Sequence, residues 1–507
     1  MDHLLKYIFD EYNDFGERGY HIKFDKTALQ ILKEGAWDEA DLKNKIHKYD
    51  YEENQRNNEG HEALVSDFLF EQPKSKLMTI MYLNLVANAL PDLFFVELNL
   101  ERKKFIQIVL SIVFYNLFLQ TYTFSSQPIS STQEKWLLAK ADFYFGLEEI
   151  KKVCWGIQKE DFDVFCDRYA FDIRNKQVSE LKNEKIYKDG ELYFILCIDE
   201  FLEYVLLKTE TIFKISSSDV AFSEYQRKKG FAFEEIVYHY LRQFSENVVH
   251  SIYYYPSTNK VAEIDILLQE EDYILIIECK SGTIDLKSAH TDEEIKRKID
   301  NKVKKAYRTL ENASNYVTSN SEYKFSNKSH VISGESQGIE VLCLHLSMYP
   351  LDPIASNLHI LDERYIGESG NPKMTMSFEH FLAICFDCYY NEKSLGSYLK
   401  KRKKNIIEHP KVQFDNNELD LYYQLTNKGN NSMLTESLEK GIFDNFNDDF
   451  KTYTTFHNSN GEFRPAADML RDIDSRFLYG FFENAKTQFG LNKRFIINLR
   501  DYLSVEK

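Results

Sequence analysis

The middle of the chain alternates apolar strand-like segments with amphipathic helical ones. Four short segments rich in β-branched and aromatic residues are predicted as strands: Val248–Tyr255, Ala262–Leu268, Tyr273–Lys280 and Ile339–Leu346. Apolar residues recur every three or four positions over Gly230–Phe244 and again from Thr291 onward, which predicts helices. The polar stretch between Ser319 and Gly338 is predicted as a loop, with at most a short strand near Val331.

The ends of the chain have a different pattern, which indicates helices. Residues 1–218 contain long stretches dense in Leu, Ile, Val and Phe without regular alternation, and helical patterns return after Pro353, for example over Phe378–Tyr390. We therefore predict three parts: a helical N-terminal region over 1–218, a mixed helix and strand core over 219–352, and a helical C-terminal region over 353–507.

One apolar segment, Phe105–Phe124, has the length of a membrane span. Gln107, Asn116 and Gln120 interrupt it, and each would be costly in lipid, so a buried helix is predicted and no membrane association. The first residues do not read as a signal peptide. The seven cysteines are an odd number scattered through apolar runs, which is typical of reduced thiols and predicts a cytoplasmic protein.

The charge balance restricts how the protein meets its partners. The 507 residues include 63 Lys and Arg against 80 Asp and Glu, a net charge of −17, so the overall field repels nucleic acid. Binding would need a local basic surface. The helix after Thr291 offers one, with Lys298, Lys302 and Lys305 as candidate nucleic-acid contacts, although a solvated helix face is the alternative. Lys400–Lys404 is a second basic cluster with a weaker claim.

The candidate chemistry lies on the two central strands. If Gln269–Asp272 is the loop of a hairpin, Asp265 faces Ile276, and Glu278 lies diagonally on the same face. Lys280, two residues further, shares that face. Two carboxylates at this separation can bind one divalent cation, and Mg²⁺ prefers such oxygen ligands. A neighbouring lysine can orient or deprotonate a water molecule and offset negative charge.

A third carboxylate could come from the preceding helix, where Glu234 is the best candidate and Glu235 the next. The alternative is that Asp265, Glu278 and Lys280 form a solvated ladder of salt bridges. The apolar run Ile274–Ile277 argues against it, because it indicates a strand buried on both faces, and unpaired buried charge is expensive.

Other chemistries lack their motifs. No HxH or HExxH zinc spacing and no Walker-type phosphate loop is present. Cys385 and Cys388 form one CxxC without the further ligands of a zinc site, and are interpreted as part of a buried helix. His250 and His345 fall within predicted strands and are interpreted as structural.

Together these segments resemble the PD-(D/E)xK nuclease superfamily, and the closest branch is Mrr-like and NERD-like. The matching motifs are Gly230-Phe-Ala-Phe-Glu234, Glu263-Ile-Asp265 and Ile277-Glu278-Cys-Lys280. The resemblance covers about residues 220–350 and implies a restriction-endonuclease-like mixed sheet flanked by helices, an α+β or α/β fold. It implies that Asp265, Glu278 and the Cys279 backbone carbonyl bind Mg²⁺, with Mn²⁺ as a substitute. Lys280 would then activate water and Glu234 would be the accessory acid.

The function implied is metal-dependent hydrolysis of DNA by an endonuclease in a prokaryotic defence or restriction role, with RNA left open as a substrate. The flanking helical regions would mediate homo-oligomer formation or bind a regulatory partner. One departure is that many Mrr-like members carry a Gln on the helix after the second acid strand, where this chain has none around Lys305. The alternative is a catalytically inactive nuclease-fold protein that binds nucleic acid or acts as a scaffold or regulatory subunit.

Overall fold

The structure is a computed structural model. It describes these residues: 76–125, 144–153, 156–172, 185–189, 192–195, 198–257, 260–282, 292–349, 351, 355, 358, 371–408, 412–414, 418–426 and 454–456. The predicted helices of residues 1–75 and 457–507 lie outside this part. The chain divides into two compact units, and the boundary at the strand-rich unit falls between Tyr225 and Gln226.

The first unit is mainly helical within its described residues. Its helices are α1 (Lys76–Ala89), α2 (Asp92–Glu97), α3 (Arg102–Ser125), α4 (Leu147–Val153), α5 (Lys159–Tyr169) and α6 (Ile198–Ser216). It also contains a small sheet that the sequence pattern did not predict. This sheet has the strand order β1-β4-β3-β2, where β1 is Tyr144–Phe145, β2 is Phe171–Asp172, β3 is Tyr187–Asp189 and β4 is Leu192–Phe194.

The apolar helix α3 lies in the core of this unit. Its residues from Phe105 to Val113 are all buried, including Gln107. Phe105 packs against the rings of Phe95 and Phe165, with centroids 6.0 Å apart in both pairs. Among the described helices, none is both long enough and apolar enough to cross a bilayer.

The second unit is built on a seven-stranded mixed sheet, so the predicted α+β fold class is confirmed. Its strands are β5 (Val248–Ser257), β6 (Lys260–Gln269), β7 (Tyr273–Lys280), β8 (Glu322–Ser326), β9 (Val331–Glu335), β10 (Glu340–Ser347) and β11 (Lys373–Ser377). The order across the sheet is β11-β10-β7-β6-β5-β8-β9. Strand β10 runs parallel to β7 and β11, and the other neighbours are antiparallel.

Helices cover the centre of this sheet. They are α7 (Asp219–Leu241), α8 (Asp292–Ser319), α9 (Phe378–Tyr390), α10 (Leu395–Glu408) and α11 (Glu418–Thr426), and a separate pair of short parallel strands consists of β12 (Val412–Phe414) and β13 (Thr454–Phe456). Ile274 and Ile276 of β7 belong to an apolar cluster with Val303 and Leu310 of α8. A side chain at Gly396 of α10 would collide with the Tyr273 ring, so α10 also packs closely on β7.

Two predictions about this unit were wrong. The predicted loop of residues 319–338 contains a hairpin: its second strand, β9, lies where the short strand near Val331 was expected, but β8 was not predicted. The Asn327 carboxamide oxygen holds the turn by accepting the backbone N–H groups of Ser329 and His330. Strand β11 was not predicted, and it pairs with β10 in the same sheet although it follows residue 352. All five β11 residues are buried, and buried Lys373 is ion-paired with Glu311.

Helix α9 has the bounds that its apolar pattern predicted. It begins after Ser377, whose hydroxyl accepts the backbone N–H of His380 at 3.3 Å, and an N-cap of this kind satisfies a free donor of the first turn. Cys385 and Cys388 are both buried free thiols, and the Cys388 Sγ lies 3.5 Å from the Tyr422 hydroxyl. The interpretation of this CxxC as part of a buried helix is consistent with that placement.

Candidate active site

The hairpin of β6 and β7 brings Asp265 and Glu278 opposite each other. Paired residues run from Gln269 with Ile274 to Ile266 with Ile277, and continuing this register places Asp265 across from Glu278. The prediction that Asp265 faces Ile276 was therefore wrong by two residues. The connection is tighter than the predicted four-residue loop, because the Glu270 N–H already bonds to the Tyr273 carbonyl at 2.9 Å. A register shift of two residues leaves the alternation of side chains along a regular strand unchanged.

Asp265 lies at a kink in the pairing of β5 with β6. Its neighbour across the sheet, Ser251 of β5, has a left-handed backbone with φ of 48°. Ser251 and Asp265 do not form a regular pair, although the residues on either side of them do, His250 with Ile266 and Ile252 with Ile264. A non-glycine residue with positive φ is uncommon, and irregularities of this kind often change the direction of a side chain beside a functional site.

The burial pattern of the two strands shows how sharp this kink is. Before it, Val249 and Leu267 contribute to the apolar cluster under α8. After it, Ile252, Tyr254 and Ile264 do so. Strict alternation would keep odd-numbered residues on that side throughout, so both strands change face at residues 251 and 265. Because of this kink, Asp265 is not part of the regular pairing between β5 and β6.

The Asp265 carboxylate forms a hydrogen bond with the backbone at the end of β7. Its Oδ2 accepts the backbone N–H of Cys279 at 2.7 Å. On the same strand, the Lys280 ammonium donates to Glu278 Oε1 at 2.5 Å and to the Cys279 carbonyl at 3.0 Å. Glu278 is buried and Lys280 is about one-third exposed, so this group opens to solvent on the lysine side.

Helix α7 brings a third acid to this group. A Cβ on Gly230 would lie 3.8 Å from the Ser281 hydroxyl oxygen, so the helix passes close to the end of β7. Glu234 lies one turn further along α7 and is partly buried, with 22% of its side chain exposed. Its charge raises the pKa of both Asp265 and Glu278. Glu235 is exposed. We call Glu234, Asp265, Glu278 and Lys280 the acid site.

Burial and mutual repulsion make the acid site electrostatically strained. Burial, followed by the charges of Glu278 and Glu234, raises the pKa of Asp265 to about 8, although Lys280 and the Cys279 N–H act in the opposite direction. Burial also raises the pKa of Glu278, and the opposing effects of Lys280 and, more weakly, Lys305 do not cancel it. Such carboxyls favour a proton or a bound cation as a partner.

Lys280 remains a cation in this setting. Burial alone would lower the pKa of its ammonium group, but the charges of Glu278 and Asp265 outweigh burial and raise the pKa above its ordinary value. A lysine held in its charged form is suited to orienting groups and offsetting negative charge. It is less suited to accepting a proton from water.

The donor set fits a hard divalent cation. It consists of oxygen atoms: the Asp265 and Glu278 carboxylates and the Cys279 carbonyl, the last of which bonds to Lys280 in this structure. Among the residues that the structure describes, no cluster of three or more His, Cys, Asp or Glu side chains has the geometry of a metal site. Mg²⁺ needs only one or two carboxylates, because water and substrate phosphates complete its shell.

The two basic clusters behave differently. Lys305 is exposed on α8, and the side chains of Lys298 and Lys302 lie outside the described part. In the other cluster, Lys400 bonds to Asp272 at 2.6 Å, and Lys403 lies 3.2 Å from Glu340. Arg402 is buried against Glu418 at 3.0 Å. The cluster at Lys400–Lys404 is thus largely neutralised by acids of the same unit.

The sequence pattern did not identify His250 as a neighbour of the acid site. Its Nε2 lies 4.0 Å from Glu234 Oε2, and its ring stacks on Tyr238 of α7. Nothing in the local sequence indicates the kink at Ser251, because the residue there is not the Gly or Asn that usually marks a positive φ. The contact between His250 and Glu234 depends on how β5 and α7 pack against each other, which the local sequence does not contain.

The comparisons with known proteins give little functional information. Residues 229–332 match the family model of a domain of unknown function, DUF4143, and this range includes the whole acid site. No curated protein matches significantly. One solved structure, that of protein VC1899 from Vibrio cholerae, aligns over 76% of this chain and 82% of its own length at 10% identity, with a TM-score of 0.18. A TM-score this low does not demonstrate a shared fold.

Proposed function

We propose that the protein is a metal-dependent nuclease that hydrolyses phosphodiester bonds of DNA. The observation that supports it best is the convergence of Asp265, Glu278 and Lys280 at the kinked end of one hairpin, beside Glu234. This convergence matches the order and roles of the PD-(D/E)xK motifs that these segments resemble. We extend the proposal to an endonuclease of the bacterial or archaeal cytoplasm that acts in defence and forms an oligomer or binds a regulatory partner.

Each residue has a distinct task in this proposal. The Asp265 and Glu278 carboxylates and the Cys279 carbonyl would hold Mg²⁺, or Mn²⁺ in its place. The bound ion would polarise the scissile phosphate and lower the pKa of a water molecule. The Lys280 ammonium would orient that water and offset the charge that develops on the phosphate. Glu234 would add a further oxygen to the coordination shell.

The Lys280 contacts favour a second candidate function. In the structure its ammonium already bonds to Glu278 and to the Cys279 carbonyl, which satisfies both oxygens without a metal. A protein with this closed arrangement could retain the fold and bind nucleic acid as a scaffold or regulatory subunit without cleaving it.

Cleavage assays on plasmid DNA with Mg²⁺ or Mn²⁺ separate the two functions. We expect wild type to nick the plasmid, Asp265→Asn to lose metal-dependent activity, and Lys280→Met to be about 10²–10³-fold slower because one charge-stabilising donor is removed. Asp272→Asn is the matched control, since Asp272 is an exposed acid at the opposite end of the same hairpin.

Three outcomes are informative. Loss of activity in Asp265→Asn and Lys280→Met, with Asp272→Asn unchanged, would support the nuclease. Equal cleavage by all four proteins would indicate a contaminating enzyme. If wild type cleaves neither single-stranded nor double-stranded DNA nor RNA, yet shifts one of them in a gel with EDTA present, the binding function is the better description.

A further inference from the structure

We infer that His250 is a positioning residue of the acid site, which holds the Glu234 carboxylate beside Asp265 and Glu278. The inference rests on the proposed function, since it concerns the carboxylate that would add to the metal shell. Neither the motif resemblance nor the family model assigns a role to this histidine.

The imidazole lies between the kinked strand and helix α7. Its Nε2 is 4.0 Å from Glu234 Oε2 and 3.2 Å from the Ser251 hydroxyl. Both side chains are largely buried, with 16% of His250 and 22% of Glu234 exposed. At 4.0 Å the two atoms are further apart than in a direct hydrogen bond, but they are within the distance of an ion pair when the imidazole is protonated.

Two aromatic rings of α7 fix the orientation of His250. The Tyr238 ring stacks on the imidazole, with centroids 5.5 Å apart and planes at 25°, and the Phe231 ring centroid is 5.8 Å away. Phe231, Glu234 and Tyr238 are spaced by three and four residues, so they share one side of the helix. The Asn327 amide also donates to the His250 backbone carbonyl at 3.0 Å, which anchors the strand below the ring.

Glu234 needs such a neighbour because the other acids repel it. Its charge acts on Asp265 and Glu278 across a partly buried space. A glutamate on a helix surface has three rotatable side-chain bonds and can turn toward water to escape like charges. Among the described residues, His250 is the basic group within ion-pair distance of Glu234, and it is fixed in place by the rings around it.

Binding of Mn²⁺ to the purified protein, measured by calorimetry without nucleic acid, tests this role. His250→Phe keeps a ring that can stack on Tyr238 but lacks the nitrogen, and we expect it to weaken Mn²⁺ binding about tenfold, as is typical for an outer-shell partner of a ligand. His250→Gln keeps a polar donor and should retain most of the affinity. His239→Gln changes an exposed histidine of helix α7, which also carries Glu234, and this control variant should bind Mn²⁺ as wild type does.

A purely structural role predicts the opposite order. If His250 only fills space, His250→Phe should bind Mn²⁺ normally and His250→Gln should be the impaired variant, and this result would overturn the inference. Thermal unfolding of each variant identifies loss of fold. The Phe substitution should also have no further effect in a Glu234→Gln background, because the inferred role acts through that carboxylate. An equal loss in both backgrounds would contradict it.

Asp265→Asn separates failure of this inference from failure of the proposed function. If Asp265→Asn binds Mn²⁺ as wild type does, the metal site itself is wrong. If Asp265→Asn abolishes binding while His250→Phe is unchanged, the metal site stands and the role of His250 is rejected.

Discussion

The Asp265 carboxyl combines burial with two acidic neighbours, and its pKa of about 8 lies far above the ordinary value of 3.8. The folded protein therefore holds a proton on Asp265 between about pH 4 and pH 8, where the unfolded chain does not. Since the folded state binds more protons in that window, rising pH lowers the free energy of unfolding of the metal-free protein. The stability that depends on the Asp265 proton is fully present below about pH 4 and is lost above about pH 8.

We predict that Asp265→Asn flattens this pH dependence. Denaturant unfolding in EDTA at several pH values should show the slope between pH 4 and pH 8 in wild type and a smaller one in the variant. Adding Mn²⁺ at pH 8 should raise the stability of wild type more than that of the variant, because a cation replaces the proton. An identical pH profile for both proteins would mean that Asp265 titrates normally.

The sequence predicts which strand face carries each candidate residue, but it does not predict the distances between the residues of the acid site. The side-chain parity of Asp265, Glu278 and Lys280 follows from the alternation of a strand, which a register error of two does not alter. The proximity of Glu234 to the strand ends depends on the packing of α7, and that of His250 depends on the kink. Both are tertiary effects that no local pattern contains.

At the level of elements, the kink in β5 is the feature on which the geometry of the acid site depends. Ser251 has a positive φ of 48°, a conformation that costs a residue with a Cβ about 1–2 kcal/mol. Glycine adopts it readily. We predict that Ser251→Gly is more stable than Ser251→Ala by about 1 kcal/mol, and comparing these two variants removes the effect of the missing hydroxyl. Denaturant unfolding at constant pH measures the difference.

The same pair of substitutions at Ser333 is the control. Ser333 is an exposed position of the regular strand β9, where glycine should be less stable than alanine by about 0.5–1 kcal/mol. Opposite signs at the two sites would support a backbone origin. If glycine is the worse residue at Ser251 too, the strand is not kinked there in solution.

The elements that were predicted well are those with strong patterns. Helix α9 and strand β7 are dense in apolar residues and have the predicted bounds. Strand β8 was missed because only Tyr323 and Phe325 mark its buried side within a polar stretch. Strand β11 was missed because it is five residues long and contains a lysine, which is buried only because Glu311 pairs with it.

On the scale of the whole molecule, the net charge of −17 makes the distribution of basic residues more important than their number. Lys400 and Lys403 are paired with Asp272 and Glu340 at the turn end of the β6 and β7 hairpin, away from Asp265. Lys298, Lys302 and Lys305 are spaced by four and three residues along the sequence of α8, which is about one helical turn per step. Of these, Lys305 influences Glu278 and is therefore near the acid site.

This difference predicts which cluster binds nucleic acid. We expect the triple variant Lys298→Ala, Lys302→Ala and Lys305→Ala to bind DNA more weakly than wild type and to show a shallower salt dependence. For every phosphate that a removed lysine had neutralised, the slope of log K against log salt concentration should fall by about 0.9. The Lys400→Ala and Lys403→Ala double variant should keep the wild-type slope, since those lysines already have acidic partners.

Fluorescence anisotropy of a labelled duplex in EDTA, from low to moderate salt, measures these slopes without cleavage. Thermal unfolding of both variants should show the double variant losing more stability, because it breaks ion pairs between α10 and the sheet. A reduced slope in the double variant with a normal one in the triple variant would move the binding surface to α10. A slope near zero in wild type would mean that the acidic surface prevents DNA binding altogether, and that another molecule must supply the positive charge.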